Sequence, residues 1–285
     1  MQTELTEVLL PFSLFIIMLG MGLSLVVNDF LRVFKYPRAV AIGLTNQLIL
    51  LPVVGYVIAS NFGLPPAFAV GIMIIAACPG GVTSNLITHV VKGDTALSIT
   101  MTALASFVTV FSIPLIINFG LMAFMGESQL IELPILETMG KIIGITVFPV
   151  AIGMFIRRRN PDFALKMERP SRLASTIIFI IILLAIIVQE RERLMTYFVQ
   201  LSGATLMLNL ITMLLGFAAA KLFRLNLQQS LSITIESGIQ NGTLAIVIAE
   251  SILNQNQMAL PAGVYSIIMF ITGGVLMAYF GNKKN

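Results

Sequence analysis

The chain has 285 residues, of which 57% are hydrophobic and 11% charged, against roughly 45–50% apolar in a soluble domain. That excludes a water-soluble globular protein and marks a polytopic membrane protein, with the lipid bilayer as its solvent. A formal charge of +4 is too small and too scattered for a nucleic-acid partner, and the lone Cys78 excludes an intramolecular disulfide.

The N-terminus carries Glu4 and Glu7 and no basic residue, so the first apolar run is expected to be a retained span rather than a signal peptide. Runs long enough to cross a bilayer, about 20 residues each, fall at 7–27, 39–60, 66–91, 95–123, 135–156, 173–189, 195–220, 227–253 and 259–281. The spacing predicts an all-α membrane protein of nine transmembrane helices in one domain, residues 1–285.

Basic residues gather in alternate loops. Arg32, Lys35 and Arg38 follow the first run, Lys92 the third, and Arg157, Arg158, Arg159, Lys166, Arg169 and Arg172 the fifth. Lys221 and Arg224 follow the seventh, and Lys283 and Lys284 close the chain. The other side holds only Lys141, Arg191 and Arg193, with Glu127, Glu132 and Glu137 gathered after the fourth run. The positive-inside rule then predicts an external N-terminus and a cytoplasmic C-terminus. With no glycosylation-rich tail, the chain reads as bacterial, which puts it in the inner (plasma) membrane.

Two runs are interrupted by residues that a helix in lipid does not tolerate without reason. The third contains Cys78 Pro79 Gly80 Gly81, followed by Thr83, Ser84 and Asn85. Pro79 removes a backbone donor and the glycines permit a turn. The eighth contains Glu236 Ser237 Gly238 Ile239 Gln240 Asn241 Gly242. A carboxylate at mid-depth costs roughly 2.5–3.5 kcal/mol on insertion scales, so Glu236 requires a ligand or a partner. Irregular backbone at that depth occurs only where it lines a cavity or meets other protein.

The two interrupted runs are predicted to lie antiparallel, each about 70 residues from the start of a four-run set. This predicts inverted repeats, 1–123 with four spans and 124–285 with five, whose paired discontinuous helices hold a site at the midplane. Ser98 and Thr102, at i and i+4 on the fourth run, share a helix face. Hydroxyls, amides, freed carbonyls and one carboxylate suit a hard cation such as Na+. Asn46 and Gln47 are polar residues of the second run, and Gln47 is placed to join that shell from the side.

Cys78-Pro79-Gly80-Gly81 with Ser84, Asn85, Ser98 and Thr102, together with Glu236 to Asn241, resembles the bile acid:sodium symporter family over nearly the whole chain. The resemblance implies a core and panel architecture with two crossing broken helices. It implies one sodium site at Ser84, Asn85, Ser98, Thr102 and Glu236. A second would use Gln47, Glu236, Gln240 and the carbonyls of Ser237 and Ile239. The substrate would lie near Thr83 and Asn241. Ile17 to Leu23 match the family's second helix, so the chain resembles a nine-helix form lacking the first helix of the ten-helix bacterial proteins. The implied activity is sodium-coupled import of an organic anion by alternating access, either a bile salt or a small carboxylate such as pantoate or ketopantoate, with two Na+. Met269 and Phe270 stand in the last run where polar cavity residues are expected.

Three rival readings remain at this level. A proton-coupled antiporter or metalloid exporter of similar fold would protonate Glu236 and use Cys78. A non-transporting sensor or assembly partner would bind Na+ without flux. An intramembrane hydrolase is disfavoured, because the chain has only His89, no HExxH pair and no G-x-S-x-G elbow.

Overall fold

The computed structural model describes residues 2–126 and 134–281. Glu127, Glu132, Lys283 and Lys284 lie outside the described residues. Within them the chain forms twelve helices, in order α1 (Gln2–Ser24), α2 (Val27–Phe34), α3 (Pro37–Asn61), α4 (Pro66–Ala77), α5 (Val82–Val90), α6 (Thr95–Met125), α7 (Ile135–Arg159), α8 (Pro161–Gln189), α9 (Arg191–Leu222), α10 (Leu227–Gly238), α11 (Gly242–Ile252) and α12 (Asn256–Gly281). Among the described residues six helices are long and apolar enough to cross a membrane: α3, α6, α7, α8, α9 and α12. A seventh crossing forms if α1 and α2, bent by 79° to each other, are taken as one. The protein is a multi-pass membrane protein.

The third and eighth apolar runs each fold as two short helices, α4 with α5 and α10 with α11. Helix α4 stops at Ala77 because Pro79 offers no N–H and drives the residue before it out of the helical region, leaving Cys78 extended at φ −73°, ψ 150°. Helix α10 ends at Gly238, and Ile239 is extended at φ −107°, ψ 94°. New helices restart at once on each side. Asn241 caps α11 by accepting from the Leu244 N–H at 3.0 Å, which satisfies one of the free donors of that first turn.

Proline shapes two other helices without breaking them. In α3 the Leu51 N–H bonds back to the Asn46 carbonyl, and in α7 the Phe148 N–H bonds back to the Ile143 carbonyl. Both are five-residue steps, and both immediately precede a proline, Pro52 or Pro149. The proline ring crowds the turn before it and leaves a carbonyl without a donor, and a widened turn absorbs both defects. In α3 that widened turn carries Asn46 and Gln47.

Helix α1 packs against α7 and α8, while α9 packs against α10 and α12, and α4 against α3, α6 and α12. The α1–α7 contact is a close backbone approach. A Cβ on Gly153 would lie 2.5 Å from the Leu19 carbonyl oxygen and 2.7 Å from Gly22 Cα. Small residues of this kind let transmembrane helices meet where no hydrophobic driving force separates protein from lipid. Gly153→Ala is expected to lower stability by about 1–3 kcal/mol. Gly144→Ala on the same helix, where a Cβ meets nothing within 4 Å, is expected to be neutral or slightly stabilising. Thermal unfolding of both variants in detergent measures the difference.

Two element boundaries differ from the sequence expectation. Helix α8 starts at Pro161, not near 173, because Asn160 accepts from the Phe163 N–H at 3.1 Å and Pro161 occupies the first helical position. Lys166, Arg169 and Arg172 therefore ride on the opening turns of a helix rather than in a loop. At the end of α1 the chain turns into α2, where buried Asp29 accepts from the Val26 N–H at 2.8 Å and pairs with Arg32 at 2.7 Å.

Candidate cation and anion site

The two breaks cross. Gly80 and Gln240 form an antiparallel bridge, and the Asn241 N–H donates to the Pro79 carbonyl at 2.8 Å. The backbone groups freed by each interruption are thus partly satisfied by the other, as burial away from water requires. The crossing is tight on one side only. A Cβ on Gly80 would collide with Glu236 Oε2, whereas one on Gly81 would find the Gln240 carbonyl oxygen at an ordinary 3.7 Å.

Glu236 is buried, 1% exposed. Its Oε1 accepts from Ser84 Oγ at 2.5 Å and Ser98 Oγ at 2.5 Å, and Thr102 Oγ1 reaches Oε1 at 3.0 Å and Oε2 at 2.9 Å. Asn85 Oδ1 faces the same hydroxyls, at 2.8 Å from Ser98 Oγ and 3.5 Å from Thr102 Oγ1. The structure therefore brings Ser84, Asn85, Ser98, Thr102 and Glu236 together from α5, α6 and α10.

Counting protons shows what the cluster accommodates. Three hydroxyls hold one proton each. They face both Glu236 oxygens and Asn85 Oδ1, and in addition the carbonyls of Gly81 (2.7 Å from Ser84 Oγ) and Ser98 (3.1 Å from Thr102 Oγ1). Acceptors outnumber donors, so the surplus oxygen is suited to a cation. Among the described residues the ion pairs join Arg32 to Asp29, Lys141 to Glu137 and Arg193 to Glu190. None involves Glu236, so no permanent basic neighbour answers its charge there.

A second group lies beside the first. Gln240 Nε2 donates to the carbonyls of Glu236 at 3.1 Å and Ser237 at 2.9 Å. Gln47, on the widened turn of α3, donates from Nε2 to the Glu236 carbonyl at 3.4 Å and to Gln240 Oε1 at 3.3 Å. Its own Oε1 is buried with no hydrogen-bond partner. Such an oxygen is costly to bury alone, and rotation of the amide would turn it towards the same carbonyls. Ile239, the other residue expected to offer a carbonyl, is fully buried beside them. Asn46 acts elsewhere, because its Nδ2 donates to Ser237 Oγ and to the Thr212 carbonyl and so ties α3 to α9 and α10.

Thr83 and Asn241 line a cavity of about 520 Å³ beside the crossing. Its polar floor is Thr83, Gln240, Asn241 and Thr243, Ser175 and Thr176 of α8 add two hydroxyls, and the rest of its lining is mostly apolar, with Met269 and Phe270 of α12 included. Arg169 of α8 also lines it. Hydropathy alone leaves Arg169 as one charge in a loop; the Asn160-Pro161 helix start is the signal that moves it onto a helix. Asn209 and Tyr265 are absent from the sequence-based site, although an amide in the middle of the seventh apolar run is itself a signal. Cys78 is buried at the end of α4.

A family model described as "Sodium Bile acid symporter family" matches residues 11–197. The protein named "Uncharacterized sodium-dependent transporter YocS" of Bacillus subtilis is 30% identical over 270 residues, 94% of this chain and 81% of that protein. The human "Ileal sodium/bile acid cotransporter" is 24% identical over 95% of this chain and 78% of its own length. A rice protein, "Probable sodium/metabolite cotransporter BASS2, chloroplastic", is 26% identical over 99% of this chain, which spans 65% of that protein. With the matched model covering well over half of the sequence, the chain belongs to the sodium bile acid symporter family.

Proposed function

We propose that this protein is a sodium-coupled symporter that imports an organic anion by alternating access. The observation that carries the reading is Glu236, buried at the crossing of two broken helices among hydroxyl and amide oxygens and without a basic partner among the described residues. Two Na+ are the fitting co-substrates. One takes Ser84, Asn85, Ser98, Thr102 and Glu236; the other takes Gln47, Glu236, Gln240 and the carbonyls of Ser237 and Ile239, once the two amides present oxygen. The relatives named as sodium-dependent transporters and cotransporters support the same coupling.

The anion occupies the cavity, with Thr83 and Asn241 at its floor. The positive end of α5 lies at that floor, and Arg169 adds a cation to the lining. An apolar lining with few polar groups selects an organic anion with a hydrophobic body, a class that spans bile salts and small metabolite carboxylates. Each broken pair is counted as one span, which gives nine, arranged as inverted repeats over 1–123 and 124–285. In this arrangement α1, α7 and α8 form the panel and the other helices the core. The charge pattern orients the chain with its C-terminus in the cytoplasm of a bacterial inner membrane.

Two Na+ entering with one monovalent anion, at a tenfold gradient and 100 mV, supply about 5 kcal/mol, enough for accumulation of roughly a thousandfold. Uptake in proteoliposomes across a panel of carboxylates and bile salts is expected to be concentrative for one class only when sodium is higher outside. Uptake unchanged in sodium-free buffer would refute the coupling, and uptake that follows a pH gradient instead would favour the proton-coupled reading.

A further inference from the structure

The end of α10 exposes successive carbonyls, which fan around the helix axis by about 100° per residue. Those of Glu236 and Ser237 point to Gln240, and that of Glu236 also to Gln47. The Gly238 carbonyl is turned elsewhere. It accepts from Asn209 Nδ2 of α9 at 2.7 Å and from the Tyr265 hydroxyl of α12 at 2.9 Å. These two donors also meet each other, Asn209 Nδ2 lying 3.4 Å from the Tyr265 oxygen. Both side chains are fully buried, 0% exposed. The approach requires that residue 238 lack a side chain, since a Cβ there would fall on Met213 and lie 3.3 Å from Asn209 Nδ2.

We propose that Asn209 and Tyr265 are positioning residues for the alkali cation bound by the neighbouring carbonyls: by holding the Gly238 carbonyl they fix the orientation of Ser237 and Ile239 on either side of it. The inference rests on the sodium-coupled reading above. It assigns a role to two helices that contribute no ligand. Tyr265 also stands four residues before Met269, hence on the same face of α12, and Met269 lines the cavity.

The test is the sodium dependence of uptake in proteoliposomes at saturating substrate, for wild type, Tyr265→Phe and Asn209→Ala. Tyr265→Phe removes a single hydroxyl and keeps the ring. Its half-saturating sodium concentration is expected to rise roughly three- to tenfold, as for loss of one buried hydrogen bond, with a maximal rate within about twofold of wild type once sodium is saturating. Asn209→Ala is expected to shift further in the same direction. As a measurement independent of flux, the rise in unfolding temperature on adding sodium in detergent should require correspondingly more sodium in Tyr265→Phe. Unchanged half-saturation in Tyr265→Phe, or a lower maximal rate at unchanged half-saturation, overturns the proposal even if wild-type uptake depends on sodium. Wild-type uptake independent of sodium overturns the coupled reading and this inference together.

Discussion

Glu236→Gln is expected to abolish sodium-driven accumulation while leaving the protein folded, and to remove the effect of sodium on its stability. Glutamine keeps the shape but removes the carboxylate at the crossing and replaces one acceptor oxygen with an amide donor. Removing one partner from a buried ionic cluster costs about 3–5 kcal/mol, equivalent to roughly two to four powers of ten in cation affinity. The same change has the opposite sign without sodium. There wild type buries a carboxylate with three hydroxyl donors and no counter-charge among the described residues, a costly arrangement, and the neutral variant avoids that cost. In sodium-free detergent Glu236→Gln should therefore unfold at or above the wild-type temperature. Added sodium should raise the midpoint of wild type only. A variant that retains saturable, sodium-dependent uptake near the wild-type concentration would show that the charge is not what recruits the ion.

Gly80→Ala is expected to lower transport by at least about tenfold, and Gly81→Ala to leave it within about twofold. The two glycines are adjacent and equivalent in sequence, but they face different things. A methyl group at 80 meets the Glu236 carboxylate, on a backbone already held by the bridge to Gln240. Neither side can retreat without opening the crossing. At 81 the methyl meets only ordinary contact distances, and the backbone there, at φ −110°, ψ 174°, suits any residue. Initial uptake rates normalised to the amount of reconstituted protein decide it. Equal loss in both variants would mean that flexibility of the turn, rather than room for the carboxylate, is what the glycines supply.

Much of the crossing was legible in the sequence because lipid makes polar residues conspicuous. A carboxylate, two amides and a proline-glycine turn in otherwise apolar runs have few explanations, and Glu236, Gln240, Asn241 and Pro79 to Gly81 stand out for that reason. The spacing of Ser98 and Thr102 gave their shared face, and the structure brings that face to Glu236. Less visible was anything set by a partner helix. Pro52 announces a defect in α3, but only the fold shows that the widened turn falls on Gln47. Asn209 and Tyr265 were obscured because an amide or phenol in a membrane helix does not reveal which carbonyl it will meet. The start of α8 was misplaced because hydropathy marks where apolar sequence begins, whereas Asn160 and Pro161 mark where helix begins.

The side-chain-free contact between α1 and α7 bears on how the molecule moves. With Gly22 and Gly153 in backbone contact, those helices have no compressible layer between them, and the proposed alternating access would carry them as one plank with α8. On the alternating-access reading, the seam that slides includes Ile17, Phe179, Met269 and Phe270 around the cavity, with the Phe179 and Phe270 rings 5.9 Å apart, built from pliable thioether and flat rings. A covalent staple across that seam should freeze the carrier with its ion chamber intact, so that sodium still binds and nothing crosses.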